Sequence, residues 1–564
     1  MSTTAGVSTV GVLTQHNNNA RTGANLAETI LNTSNVNASQ FGKLFELQVD
    51  GQVYAQPLYV GGVSVADQTI HNIVFVATMH NSVYAFDADD PNGTLFWQVS
   101  LGPSIALPDP GIGDNTHYHD ISLEVGILST PVISLDKSTL YVVAATKEAD
   151  GQYFHTLHAL DLLTGEEVFD QPTRIEGSIK GTAKGSVNGV LTFESHFHNQ
   201  RPGLLLANDT IYIAFASYGD AGPYHGWIFG YSASTLERVA VFCTTPGSQM
   251  INGKLVPDSE GGIWQAGLGL TADSDGQIYA MTGNGSFRPD GSALGDCILK
   301  LRPDLTVLDW FSPFNNSALN GSDEDLGSSG VVLLPETDLM VGGGKESKLY
   351  IMHKNKMGHF NPHDDNQIVQ TLLVHGKDNL SHHIHAGPVS WHGPKGAWIY
   401  VWVEGDFIKA YQFANGKFQP APISQHPNIA QSEIIGMPGA ALSLSADSNK
   451  AGTGILWASH PHNQNAKDAN GNVMDANQHI IRGILRAYDA SDLSRELWNS
   501  QLAPGDSTDA RSDSIGNFAK FCPPTVANGK VYLASFGRDP VGTSPTVAGL
   551  NRSTFHIAVY GLKQ

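Results

Sequence analysis

Cysteine is scarce in this chain: Cys243, Cys297 and Cys522 are the only three among 564 residues. They form neither a CxxC pair nor an adjacent pair. That excludes a disulfide framework and a thiolate metal site, and each reads as a small buried hydrophobe. Charge is also sparse, at 15% of residues, and it is one-sided. Against 53 Asp and Glu stand 32 Lys and Arg, a formal net charge of −21. Such a surface does not attract phosphates, so nucleic acid and anionic membrane are not expected partners. No apolar run approaches the ~18 residues that a membrane-spanning helix needs. The opening MSTTAGVSTVG lacks the basic and apolar regions of a leader. The chain then reads as cytosolic or as a mature, trimmed form. Asn-x-Ser/Thr sites at Asn32, Asn92, Asn208, Asn379 and Asn551, with a Lys-poor acidic surface, favour a secreted or periplasmic mature protein.

Glycine is abundant, at 60 residues. With few of the straight-chain residues that long helices need, this composition favours many strands and tight turns. A unit recurs along the chain: a short apolar stretch after Pro or Gly, a β-rich run, a loop, and a second run ending in an aromatic residue or Leu. It reads AQPLYV, NIVFVATMHNSVYAFDAD and TLFWQVSL in the first copy, then STPVISL, TLYVVAATKE and TLHALDLLTGEEVF in the second. Strict alternation in SVYAFDAD and KVYLAS marks half-buried strands. The repeat of roughly 50–85 residues matches four-stranded propeller blades.

The expected fold is therefore all-β: a single eight-bladed β-propeller spanning 1–564, with seven blades as the alternative. Residues 1–41 form an N-terminal extension packed on it. The early strand GKLFELQVD (42–50) has no partner in the first blade and is expected to complete the last, which removes the open sheet edges. Gly/Asn-rich inserts at 102–120, 172–195 and 463–480 exceed blade turns and read as loops on one face.

The wording QHNNNARTGANL, VDGQVYAQPLYV, EVGILSTPVI, GPYHGWIFGYSASTL, GKESKLYIM and FAKFCPPTVANGKVYLASFG resembles the pyrroloquinoline-quinone-repeat propellers, the quinoprotein alcohol dehydrogenase-like superfamily. The resemblance covers nearly the whole chain and implies the propeller fold. Catalytic members of that family often carry a vicinal disulfide beside the quinone, an Asp base and Ca2+ ligands. This chain has no adjacent cysteines and no Ca2+ site that its wording maps, so pyrroloquinoline quinone (PQQ) ranks below a metal as the expected cofactor.

Histidine is the departure from that family. In a propeller, the loops before each innermost strand and those joining second to third strands converge at the axis. His117 and His119, His196 and His198, and His383 and His385 precede inner strands. His460 and His462 lie in a second-to-third-strand loop, as does His80. In extended backbone, residues i and i+2 point the same way, so each His-x-His pair can present two imidazoles to one place. Neutral imidazole is the commonest ligand for Zn, Cu, Fe and Ni. The pattern predicts a shared axial metal site, with copper first, iron second and Zn or Mn third. More than four imidazoles exceed a closed structural Zn site.

Polar residues in the same loop types complete the expectation. Lys147, Glu124, Glu404 and Tyr118 are candidate acid/base groups, and Trp264, Lys345 and Arg538 candidate cofactor contacts. The leading function is a metal-dependent oxidoreductase acting on a small molecule or oligosaccharide. Alternatives are a metal-assisted polysaccharide lyase or hydrolase, a quinone-dependent dehydrogenase, and a non-catalytic metal-binding propeller.

Overall fold

The computed structural model describes residues 11–65, 68–113, 118–375, 382–426, 437–462, 474, 476–502, 512–538 and 552–563. Among these, eight blade sheets of four or five strands follow one another along the chain. The inner strands are Leu58–Ser64, Val132–Ser134, Leu205–Ala207, Thr271–Ala272, Val332–Leu333, Val389–Gly393, Ala441–Ser445 and Thr525–Ala527. Each is followed by strands laid outward in chain order, as in blade four, where Ile278–Met281, Ile298–Leu301 and Val307–Phe311 come next. The apolar cores lie between neighbouring blades. One joins Leu205, Tyr212 and Ile228 of blade three to Leu270, Ile278 and Leu299 of blade four. Burying both faces of every sheet in this way explains the near-continuous apolar strands.

The ring closes as expected. Phe41–Gln48 pairs antiparallel with His556–Leu562, with Phe41 opposite Leu562 and Gln48 opposite His556. The eighth blade thus combines an early strand with late ones, and Phe41–Gln48 is its outermost strand.

The segment before that strand threads the axis and touches every blade. Gly11–Val12 adds to the inner strand of blade one. Leu13 O then accepts from Ile133 N of blade two, at 2.8 Å. Asn19 Nδ2 donates to Leu206 O of blade three, at 2.8 Å. Asn19 O, Ala20 O and Thr22 O accept from Ala272, Leu333 and Ser390 of blades four, five and six. Ala24–Asn25 runs parallel to the inner strand of blade seven, and Asn25 Nδ2 donates to Val526 O of blade eight, at 2.7 Å. Arg21 sits at the centre of this plug, fully buried. Its guanidinium donates to Leu270 O at 2.9 Å, Gln15 O at 2.6 Å and Leu204 O at 3.1 Å. Among the described residues no carboxylate pairs with it, and burial pulls its pKa down to about 9.

The three cysteines are free and buried, in line with the composition. No helix among the described residues is long and apolar enough to cross a membrane.

Candidate active site

At one end of the axis, the loops before the inner strands and the loops joining second to third strands surround a cavity of about 400 Å3. That volume suits a small-molecule or cofactor site. The floor is carried by GGIWQAG, and this loop is pinned from inside. Gln265 is fully buried and donates to Leu268 O at 2.9 Å, while its Oε1 accepts from Met281 N at 2.8 Å. Gln265 and Ala266 both adopt positive φ, 44° and 46°. Such backbone persists where the surroundings over-determine it, and here it turns Trp264 into the cavity. Trp264 meets the His385 ring at 5.7 Å and the Phe521 ring, edge-on, at 6.5 Å.

One wall comes from blades four and five. Asn284 N donates to Asp325 Oδ1 at 2.7 Å, and Asn284 Nδ2 to Asp323 Oδ1 at 2.8 Å. Lys345 Nζ lies 2.8 Å from Asp325 and 3.1 Å from Asp323, and 6.0 Å over the Trp264 ring. Gly283 permits this approach, since a Cβ there would stand 2.3 Å from Asp325 Oδ1. Burial raises the Asp325 pKa even against Lys345, while the two carboxylates hold Lys345 above its ordinary value despite its burial. Behind them Asp296 is fully buried and pushed well above the carboxylate range, first by burial and then by Asp325.

The opposite wall comes from blade six. His385 Nε2 lies 2.8 Å from Glu404 Oε1, and His383 Nδ1 3.5 Å from Glu404 Oε2. Burial would raise the Glu404 pKa, but His385, His383 and Lys345 pull it below its ordinary value. Burial lowers His383 to about 4. A further side carries Asn199, Arg201, Lys520 and Phe521, with Arg201 stacked 4.4 Å over the Phe521 ring.

Among the described residues, four that line the cavity carry buried polar atoms with no hydrogen-bond partner: Asn199 Oδ1, Arg201 Nη2, Asn284 Oδ1 and His385 Nδ1. Buried polar groups are paired in the great majority of cases, so an unpaired set in one cleft marks groups arranged for a ligand.

The expected residues divide sharply. Tyr118, Trp264, Lys345, His383, His385 and Glu404 line the cavity. Tyr118 is a poor base there, because burial and Asp120 push its pKa well above 10.0. Lys147 instead pairs with Asp109 at 2.6 Å. Glu124 is held by His80 at 2.9 Å and Arg552 at 2.7 Å. Burial favours its protonated form, yet these partners bring it to about 2. Arg538 is ion-paired to Glu46. None of these three lines the cavity.

The histidine pairs do not converge, and this corrects the expected shared imidazole site. His198 uses both ring nitrogens: Nδ1 on Glu194 O at 2.7 Å, and Nε2 accepting from His225 N at 3.3 Å. His460 does the same, with Nδ1 on Pro461 O at 2.7 Å and Nε2 accepting from Arg486 Nε at 3.0 Å. His80 is committed to Glu124, and His196 lies against Tyr153 and Phe197. His119 is exposed and borders a separate small recess with Tyr54 and His479. His462 donates its backbone N–H to Arg482 O at 2.7 Å. His117 lies outside the described residues. Among the described residues, the group of three or more His, Cys, Asp or Glu with metal-holding geometry is His383, His385 and Glu404. The copper expectation thus loses most of its ligand set.

Asn199, Arg201, Asn284, Asp323, Asp325, Lys520 and Phe521 were not singled out from the sequence. Their signal is positional: NQRPG, TGNG, DED and AKF fall in the same two loop types that hold Trp264 and Lys345.

No protein-family model and no curated protein sequence matches the chain. Solved structures do. A quinohemoprotein alcohol dehydrogenase from Comamonas testosteroni is 16% identical, with 98% of this chain and 80% of that one covered, at a TM-score of 0.53. A quinohemoprotein alcohol dehydrogenase from Pseudomonas putida HK5 is 12% identical over the same shares, at 0.55. A europium-containing methanol dehydrogenase is 14% identical and covers 98% of both chains, at 0.52. The chain therefore shares its eight-bladed propeller fold with these solved structures, as its wording implied.

Proposed function

We propose that this protein is an oxidoreductase that binds an acidic, planar quinone cofactor of the PQQ type, together with a hard cation, and oxidises a small hydroxylated substrate. The carrying observation is the composition of the axial cavity. An indole floor is ringed by Arg201, Lys345 and Lys520, and oxygen donors from Asn284, Asp323 and Asp325 stand at one edge. The names of the similar structures support the same reading.

The residues fit such a group. Trp264 offers a flat apolar face for stacking. Arg201, with a buried Nη2 lacking a partner, suits a carboxylate. Asn284 Oδ1 and the Asp323 carboxylate form an oxygen-only donor pair, which suits Ca2+ or a lanthanide and not copper. When bound, the quinone supplies the two-electron acceptor. The chain's part is to orient and to manage protons. Asp325, its pKa raised by burial, accepts the proton of a substrate hydroxyl, and Lys345 at 2.8 Å stabilises the carboxylate between turnovers. The buried cysteines exclude a disulfide lid built from Cys243, Cys297 and Cys522. A periplasmic or secreted location belongs to the same proposal, on the acidic, Lys-poor surface.

The test is reconstitution of the purified protein with PQQ and Ca2+ or La3+, followed by a visible spectrum and dye-linked oxidation of a panel of alcohols. Stoichiometric quinone uptake that is lost in Trp264→Ala supports the reading. No uptake with either cation overturns it.

A further inference from the structure

We infer a second metal site in the same cavity, specific for a divalent transition ion and built from His383, His385 and Glu404. It does not rest on the quinone reading, because its donors come from blade six, whereas the oxygen donors come from blades four and five.

The geometry comes first. One ligand atom from each of the three residues lies within 4.8 Å of the others. The two imidazoles occupy alternate positions in the loop before the inner strand of blade six, and Glu404 comes from the loop joining that blade's second and third strands. The two loops are tied to one another independently of these side chains. Glu404 N donates to His383 O at 3.2 Å, and His382 Nδ1 bonds Glu404 O at 2.7 Å. Ser328 Oγ donates to Ile384 O at 2.7 Å, between the two histidines. Ligands on so fixed a frame need little rearrangement on binding.

Unused bonding capacity comes second. His385 is 2% exposed, and its Nδ1 has no partner. An ion–carboxylate pair alone would explain the contact of His385 with Glu404. It does not explain why a second imidazole stands 3.5 Å from the other oxygen of the same carboxylate, nor the orphaned nitrogen.

The donor chemistry selects the ion. Two imidazoles and one carboxylate suit Fe2+, Co2+ or Zn2+, whereas Ca2+ and lanthanides prefer oxygen. Three protein ligands on a cavity wall leave further positions facing the space above Trp264, whose ring is 5.7 Å from that of His385. An ion there acts as a Lewis acid that anchors a hydroxyl or carboxylate oxygen of the molecule entering the cavity.

The experiment uses Co2+ alone, added to the chelator-treated full-length protein and followed by visible absorption and calorimetry. One equivalent should bind with visible d–d bands. His383→Ala and Glu404→Gln should each weaken it by more than about 10-fold, the loss expected even for an outer partner. His383 is the most exposed of the three, at 30% of its side chain, so its truncation tests the site with least risk to folding, which a thermal melt confirms. Failure of Co2+ to bind, or equal affinity in both blade-six variants, overturns the site. Loss of PQQ uptake with Co2+ binding intact would instead overturn the quinone reading alone.

Discussion

Lys345 stands 2.8 Å from Asp325 and 6.0 Å over the ring of Trp264, so one ammonium neutralises a buried carboxylate and caps the aromatic floor of the cavity. The two contacts give this lysine a structural role as counter-charge, and under the proposed function the same ammonium would partner a bound anion.

Replacing Lys345 with Met leaves Asp325 buried and unpaired. The expected loss is about 3 kcal/mol, the scale for removing one partner of a buried pair. The sign with pH follows from the carboxylate. Its folded pKa is already raised, so the folded state binds a proton more readily than the unfolded state, and losing Lys345 raises it further. The variant should therefore be closest to wild type in acid and furthest from it above neutrality, as urea midpoints across that range will show.

His198→Ala and His460→Ala should leave Co2+ stoichiometry unchanged, since both ring nitrogens of each are already bonded within the protein. Both should instead lower stability by about 2 kcal/mol or more, from a cavity and from unpaired buried groups. Loss of metal in either variant would revive the shared imidazole site.

Arg21→Ala removes the donor for three buried carbonyls, those of Gln15, Leu204 and Leu270. At roughly 1–3 kcal/mol for each stranded acceptor, a loss of at least about 3 kcal/mol is expected. Hydrogen exchange should show the loosening along all eight inner strands, because residues 11–25 touch each of them. Protection lost in one blade only would contradict that role for the plug.

The His80–Glu124 contact has a defined pH window. Glu124 is depressed from 4.5 to about 2, so its contribution is complete above the unfolded value and disappears as pH falls through the folded one. His80 is raised above 6.5 by Glu124, so its contribution is present below that value and fades as pH rises through the folded pKa. The melting temperature of Glu124→Gln should therefore differ most from wild type between these limits. A difference that persists undiminished as pH rises past the His80 pKa would mean that Arg552 alone holds Glu124.

Much of the fold was legible because propeller blades repeat. Alternation in SVYAFDAD and KVYLAS marked strands, and the unpaired run 42–50 pointed to the closing strand later seen at Phe41–Gln48. The loop logic also worked in part, since Trp264, Lys345, His383, His385 and Glu404 do meet. It failed for His198 and His460, which lie in the strands His198–Asn199 and Ile455–Pro461 and bond backbone and Arg486 instead. Spacing gives a loop's place on the axis, but a side chain's direction depends on which local donors and acceptors compete for it.

The amino-acid sequence by itself determined the class of fold, the ring closure and the small set of axial loops, because periodicity and turn residues act locally and recur in every blade. Only the tertiary structure decided which axial residues share a cavity. It brought Asn284 to Asp323 and Asp325, set Arg201 on Phe521, and separated six of the expected histidines from His383 and His385. Those choices come from burial and from competition for hydrogen bonds among residues hundreds of positions apart, which no local pattern encodes.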